Sequence, residues 1–319
     1  MPKVKFGGQS YDCNGVSVLD CLTAQGIAIP SSCHSGLCQT CMMQAINGSV
    51  PDHAQKGLKP TYIEQGYFLA CSCFPEEDLE IVLPKEVFAK ITTTVTDVSL
   101  LAKDILGIKL QVPASFKYRA GQFINLYKDE NTSRSYSLAS LPALNEDLFL
   151  NVRKVPGGIV SNWIYDTFNV GSQVTISAAI GDCFYVAGSP EQNILLIGTG
   201  SGLAPLYGIV RDALLNKHKG EIHLYHGNYD ATGCYLVAEL KLLEQQHHNF
   251  KYIPCVSDVD AQIPAGGAKG MVLDVALSKD PDLSGWRIFL CGNPAMVSAA
   301  KTQTFLAGAS MSEIFADPF

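Results

Sequence analysis

Cys33, Cys38 and Cys41, followed after 29 residues by Cys71 and then Cys73, carry the plainest chemistry in this 319-residue chain. The first three share one loop with Gly36 inside it. Such a loop can wrap an inorganic cluster if its amides turn inward, and inward amides form a nest for anionic sulfur. The spacing Cys-x4-Cys-x2-Cys with a distant fourth cysteine is that of plant-type [2Fe–2S] ligation. The plainer alternative is a structural zinc site on Cys38, Cys41, Cys71 and Cys73; it leaves Cys33 without a role. Rieske ligation needs two histidines on one iron. His34 adjoins Cys33, but no matching downstream Cys–His pair exists. Cys71 and Cys73 would share one face of an extended segment, so spacing alone does not choose between them.

A second set of residues suits phosphates. Arg134-Ser135-Tyr136-Ser137 closes a predicted strand, with Ala120-Gly121-Gln122-Phe123 upstream and Asn151-Val152-Arg153 downstream. Gly157-Gly158-Ile159-Val160-Ser161 opens a predicted helix, and a glycine pair at a helix N-terminus suits a phosphate. By itself the four-residue segment reads equally as an ordinary strand with alternating side chains. Gly198-Thr199-Gly200-Ser201-Gly202-Leu203-Ala204-Pro205 follows a buried strand and opens a helix, the context for a bound pyrophosphate. It departs from the Rossmann fingerprint because Leu203 occupies the third glycine position. A 2′-phosphate wants Lys or Arg after the second strand, whereas a bare ribose tolerates an acid. Neither Lys nor Arg occurs between Gly220 and Lys241, and Asp230 does, so NADH is expected over NADPH. Cys291-Gly292-Asn293-Pro294 ends the penultimate predicted strand.

These residues need three kinds of scaffold. Residues 1–84 are short apolar runs broken by Gly, Asn and Ser, with a helix signalled by Ser17 and Asp20 as a capping box ahead of Val18, Leu19 and Leu22. Residues 87–187 are rich in Thr, Val and Ile with turns at strand spacing, which predicts a small antiparallel barrel. From about 190, buried strands such as 194–197 and 222–225 alternate with helices, which predicts a doubly wound parallel sheet. Lys217, His218, Lys219 and Gly220 read as a cationic, glycine-terminated helix end. The domain boundaries follow as 1–86, 87–188 and 189–319.

Composition narrows the class. Apolar residues at 47% and charged residues at 17% describe a globular chain, and a net charge of −7 speaks against nucleic acid. No apolar run reaches the roughly 18–20 residues that span a bilayer, and no signal-peptide core is present, so a cytoplasmic location is expected. Eleven cysteines, seven of them before residue 74, suggest metal or redox chemistry rather than a disulfide framework. Cys13, Cys21, Cys183, Cys234 and Cys255 read as small core residues, and His247-His248 as a solvated helix end.

Together the motifs resemble the ferredoxin–NADP reductase superfamily, in particular the NADH-dependent reductase components of bacterial multicomponent oxygenases, over nearly the whole chain. The resemblance implies a β-grasp ferredoxin-like domain, an FAD-binding barrel and a nicotinamide domain, in that order. It implies Cys71 as fourth ligand, since such domains present it in a segment like Phe68-Leu69-Ala70-Cys71. It places Arg134 on the flavin pyrophosphate, Tyr136 on the isoalloxazine and Ser137 near flavin N5. Gly158, Val160 and Ser161 match its phosphate-binding turn, and Cys291 its cysteine beside the nicotinamide. A terminal aromatic in this superfamily can cover the flavin face, so Phe319 either shields the isoalloxazine and moves aside for nicotinamide or simply packs. Four departures stand out: Gln39 where Gly is common, Ala120 where Pro is usual, Ala178-Ala179-Ile180-Gly181 for Gly-Pro-x-Gly, and Tyr229 where many relatives have Arg.

The implied path runs from NADH to FAD and then singly through the cluster, because a flavin bridges two-electron and one-electron chemistry. The implied acceptor is an oxygenase component or a separate ferredoxin, served by a monomer. The competing readings are a stand-alone reductase for a deoxysugar dehydratase or a quinone, and a zinc-stapled binding scaffold.

Overall fold

A computed structural model describes residues 2–31, 34–36, 39–84, 90–112, 116–130 and 132–319. Cys33, Cys38 and the expected boundary at 86/87 lie outside the described residues. The chain divides into two units, Met1–Ala89 and Lys90–Phe319.

In the first unit, strands β1 (Lys3–Phe6), β2 (Gln9–Asp12), β3 (Met42–Asn47), β4 (Tyr67–Leu69) and β5 (Leu79–Val82) form a sheet in the order β2-β1-β5-β3-β4. β1 and β5 run parallel and the other pairs antiparallel. Helix α1 (Val18–Ala24) begins at Ser17, whose Oγ accepts from the Asp20 amide at 3.1 Å and donates to Asp20 Oδ2 at 2.6 Å. This cap orients Val18, Leu19 and Leu22 into a core with Val4, Met43, Phe68, Leu79 and Ile81. A short helix α2 (Pro60–Glu64) precedes β4.

Cys13 and Cys21 do lie in this core, but they are joined to each other by a disulfide rather than free. The end of β2 and the first turn of α1 bring their Cα atoms to 5.3 Å, within bridging range. A spacing of eight residues carries no signature of that fold-back.

The second unit starts with β6 (Ile91–Ala102), β7 (Ile105–Gln111), β8 (Phe123–Tyr127), β9 (Ser133–Ser137), β10 (Asp147–Arg153), helix α3 (Ile159–Thr167) and β11 (Gln173–Ile176). The sheet order is β10-β7-β6-β11-β8-β9. Its two edges meet: Leu138 bridges Leu150, and the Ala139 amide donates to the Phe149 carbonyl at 2.8 Å. Closure removes the exposed edges and makes the predicted barrel, filled by Val95, Ile108, Leu126, Leu150, Val152 and Ile176.

The parallel sheet follows, with β12 (Ile194–Thr199), β13 (Ile222–Asn228), β14 (Phe250–Val256), β15 (Ala268–Lys269), β16 (Arg287–Gly292) and β17 (Ile314–Pro318) in the order β15-β14-β13-β12-β16-β17. Alternate residues of β12 serve opposite faces. Ile194 and Leu196 pack with helices α4 (Leu203–Leu215) and α5 (Val237–Gln246). Leu195 and Ile197 pack with α6 (Val272–Lys279) and α7 (Pro294–Leu306). This is the doubly wound arrangement. The α4-side core also takes in Ile105, Cys183 and Tyr185, so the barrel and the parallel sheet share buried apolar residues.

The end of α4 differs from the reading of the sequence. The left-handed residue is Lys217 (φ 56°), not a glycine. Lys217 N bonds to Leu214 O and His218 N to Ala213 O, which closes the last turn as a Schellman motif. His218 is not a solvated cation. It lies between the Tyr185 hydroxyl (3.2 Å) and the Gln192 carbonyl (2.8 Å), and burial lowers its pKa.

Candidate functional site

The thiol site is built from adjacent strand ends. β3 and β4 pair Met42 with Leu69, and the Ala70 amide donates to the Cys41 carbonyl at 3.0 Å. Cys41 and Cys71 therefore leave neighbouring strands side by side, with their thiols in hydrogen-bonding reach; burial, the largest cause, raises the Cys41 thiol to about 11. Gly36 has φ +75°, and a Cβ there would come within 2.9 Å of Ser72 Oγ, so the backbone at Gly36 lies directly against the turn that carries Cys71. Cys73 points elsewhere. It is fully buried in the α1 core, burial raises its thiol to about 12, and its carbonyl accepts from the Val18 amide. Paired soft thiols under a close-fitting glycine loop suit an iron–sulfur cluster.

A cleft of about 1130 Å³ lies in the second unit, between the barrel and the C-terminal ends of the parallel strands. It sits where the strand order reverses at β12, flanked by β13 and β16, the usual ligand crevice of such sheets. Residues 134–137, Asn151, Arg153, 157–161, 199–201, Gly292 and Phe319 line it. It thus brings together most of the residues expected from sequence for flavin and for nicotinamide.

Others of that set stand behind or beside the cleft. Val152 is in the barrel core. Gly198 and Gly202 are buried on either side of the lining residues 199–201; a Cβ on Gly202 would meet the Cys291 carbonyl at 2.4 Å. Cys291 is buried, with its sulfur 3.8 Å from that of Cys183, and burial raises its thiol strongly. Pro294 begins α7. Asp230 is not in the lining. Its Oδ1 accepts from the Thr232 amide (2.8 Å) and hydroxyl (2.6 Å), which holds its pKa below the usual range.

Two groups show what the cleft is made to hold. Asn151 is nearly buried, its Oδ1 accepts from the Tyr235 hydroxyl at 3.3 Å, and its Nδ2 has no partner among the described residues. A buried donor without a partner is costly, and a polar ligand in the cleft would satisfy it. Among the described residues, the Arg134 guanidinium bonds only its neighbour's carbonyl, Ser133 O, at 2.9 Å, and Arg153 supplies a second cation, anchored by Asp104 at 2.9 Å. A donor and two cations fit a flavin dinucleotide.

Several residues here had no signal in the sequence. Ser137 Oγ lies 3.2 Å from Asp317 Oδ2. Burial raises the Asp317 carboxyl to about 6, helped by the charge of Asp182 and opposed by the Ser137 bond. His226, fully buried and kept neutral by burial with a pKa near 4, sits 3.0 Å from the Gly200 carbonyl and fixes the glycine loop. Tyr235 packs edge-on against His226. These contacts join residues from different elements, which is why no local pattern announces them.

A closed barrel with cationic cleft residues, continuous with the switch point of a doubly wound sheet and accompanied by a separate thiol-bearing domain, defines a flavin- and nicotinamide-binding electron-transfer reductase. Three family profiles agree: the 2Fe-2S iron-sulfur cluster binding domain over residues 4–76, the oxidoreductase FAD-binding domain over 92–185 and the oxidoreductase NAD-binding domain over 196–302. The chain is 32% identical to the reductase subunit of an aromatic O-demethylase from Amycolatopsis sp., over 93% of this chain and 92% of that one. It is 33% identical to the ferredoxin–NAD(P)(+) reductase component of the naphthalene 1,2-dioxygenase/salicylate 5-hydroxylase systems of Ralstonia sp., over 96% and 94%. Among solved structures, the Amycolatopsis cytochrome P450 reductase aligns with TM-score 0.69 and 31% identity, covering 100% of this chain and 99% of that one. This chain belongs to the family of [2Fe–2S], FAD and NAD reductase components of multicomponent oxygenases. Among the described residues, no helix is long and apolar enough to cross a membrane.

Proposed function

We propose that this protein takes hydride from NADH and delivers electrons singly, through a [2Fe–2S] cluster on Cys33, Cys38, Cys41 and Cys71, to an oxygenase component or a separate ferredoxin. The observation that carries it is the single cleft in which residues 134–137 and residues 199–201 face one another, since hydride transfer requires donor and acceptor rings in contact. Bound FAD supplies the exchange between two-electron and one-electron chemistry. Arg134 holds its pyrophosphate, with residues 157–161 at the α3 N-terminus. Asn151 Nδ2 donates into the cleft. Ser137 and Asp317 stand where a proton can be held at Asp317 Oδ2, beside the buried Cys291. Phe319, on the extension of β17 and tied by its amide to the Gly292 carbonyl at 3.0 Å, lines the cleft and would cover the ring of a bound flavin, moving aside to admit nicotinamide. The domains are 1–86, 87–188 and 189–319. Both halves of the cleft come from one chain, which supports a monomer.

The test is an anaerobic titration of the purified brown protein with NADH, followed in the visible and by EPR. The expected result is bleaching of flavin and cluster bands and a rhombic reduced-cluster signal. A protein that binds zinc and no flavin, or that is not reduced by NADH, would sink the reading.

A further inference from the structure

We propose that Asp274, rather than Asp230, makes the adenosine end of this cleft select NADH over NADPH; the inference rests on the function proposed above. The cleft continues from the glycine loop to Asn228, Ser257 and the first turn of α6. That turn is pressed onto the end of β13, because a Cβ on Gly227 would lie 2.7 Å from Val272 Cβ. The C-terminal end of this second strand is where a doubly wound sheet receives the adenosine ribose.

The charges along the cleft are unevenly placed. Among the described residues lining it, the cations are Arg134 and Arg153, both from the barrel, and Asp274 is the one acid. No lysine or arginine of the parallel-sheet domain lines it. Asp274 is exposed at the third position of α6, and its carboxylate makes no hydrogen bond or ion pair among the described residues. Asp230, by contrast, has its carboxylate committed to Thr232 and stands outside the lining. A ribose 2′-hydroxyl can donate to the free Asp274 carboxylate. A 2′-phosphate would meet a like charge, with no cation among the described lining residues of that end to offset it.

An acid in the first turn of a helix also stabilises the helix dipole. That role would appear in thermal stability and would leave the choice between two nucleotides unmoved.

The experiment measures kcat/KM for NADH and for NADPH on the FAD-loaded full chain, with ferricyanide as acceptor, in wild type, Asp274→Asn, Asp274→Arg and Asp230→Asn. The expected NADH-to-NADPH preference falls by about 10-fold in Asp274→Asn and by about 100-fold in Asp274→Arg, through a gain with NADPH. An unchanged preference in Asp274→Arg overturns the proposal, as does a shift in Asp230→Asn with none in Asp274→Asn. A wild type that oxidises neither nucleotide while holding FAD would instead overturn the proposed function, so the two failures are distinct.

Discussion

Asp317 and Ser137 stand 180 residues apart in sequence and 3.2 Å apart in space. Burial raises the Asp317 carboxyl from its ordinary 3.8 to about 6, so the folded chain binds this proton more tightly than the unfolded chain. Its stabilisation is full below about pH 4 and is lost as pH rises through about 6. Flavin-free Asp317→Asn, which mimics the protonated form, should therefore gain in melting temperature relative to wild type between pH 4 and 7. Parallel melting curves for the two across that range would contradict the assignment. The two candidate cysteines separate just as directly. Cys71→Ser should abolish the cluster absorbance and spare the flavin bands. Cys73→Ala should keep the cluster and lower stability by about 1 kcal/mol through a small core cavity. The reverse pattern would move the fourth ligand to Cys73. Ser137 was legible because it sits in a contiguous motif; Asp317 was not, because only the pairing of β17 with β16 brings it there.

At the scale of elements, the strand–glycine-loop–helix unit around residues 198–205 could be read from its buried run and its glycines. The close approach that makes Gly202 necessary could not, since the Cys291 carbonyl that its Cβ would meet comes from β16. Gly202→Ala should displace the loop and raise the KM for NADH by about 10-fold or more while FAD remains bound; an unaltered KM would mean that the loop tolerates the shift. Strand spacing predicted the barrel, but its closure rests on the pairing of Leu138 with Leu150, a contact that alternation within a strand does not encode. At the end of α4, Lys217 takes the left-handed conformation usually left to glycine, because the Schellman bonds and the buried His218 fix the turn. Composition pointed to Gly220 and tertiary packing decided otherwise.

At the scale of the molecule, the first unit has its own core, drawn from residues 4–81, and the second its own from residue 95 onward. Residues 90–319 expressed alone should fold, bind FAD and reduce ferricyanide with NADH, but lack cluster absorbance and pass few electrons to a one-electron protein acceptor. An insoluble or flavin-free fragment would show that the units depend on each other. The eleven cysteines pointed to redox chemistry, and their uneven distribution marked the first unit as the place for it; the disulfide between Cys13 and Cys21 escaped because clustering near the metal motif masked it.

The apolar residues Ile105, Cys183 and Tyr185, which lie in the same core as α4 of the parallel sheet, bear on how such chains can be recombined. A crossover near residues 85–89 would exchange one self-contained module for another, so grafting a different ferredoxin there should yield soluble chimeras. A crossover near residue 188 would split a single packed interior between two parents. Each half would then carry side chains shaped for a neighbour it no longer has, and such hybrids should be recovered only from close relatives.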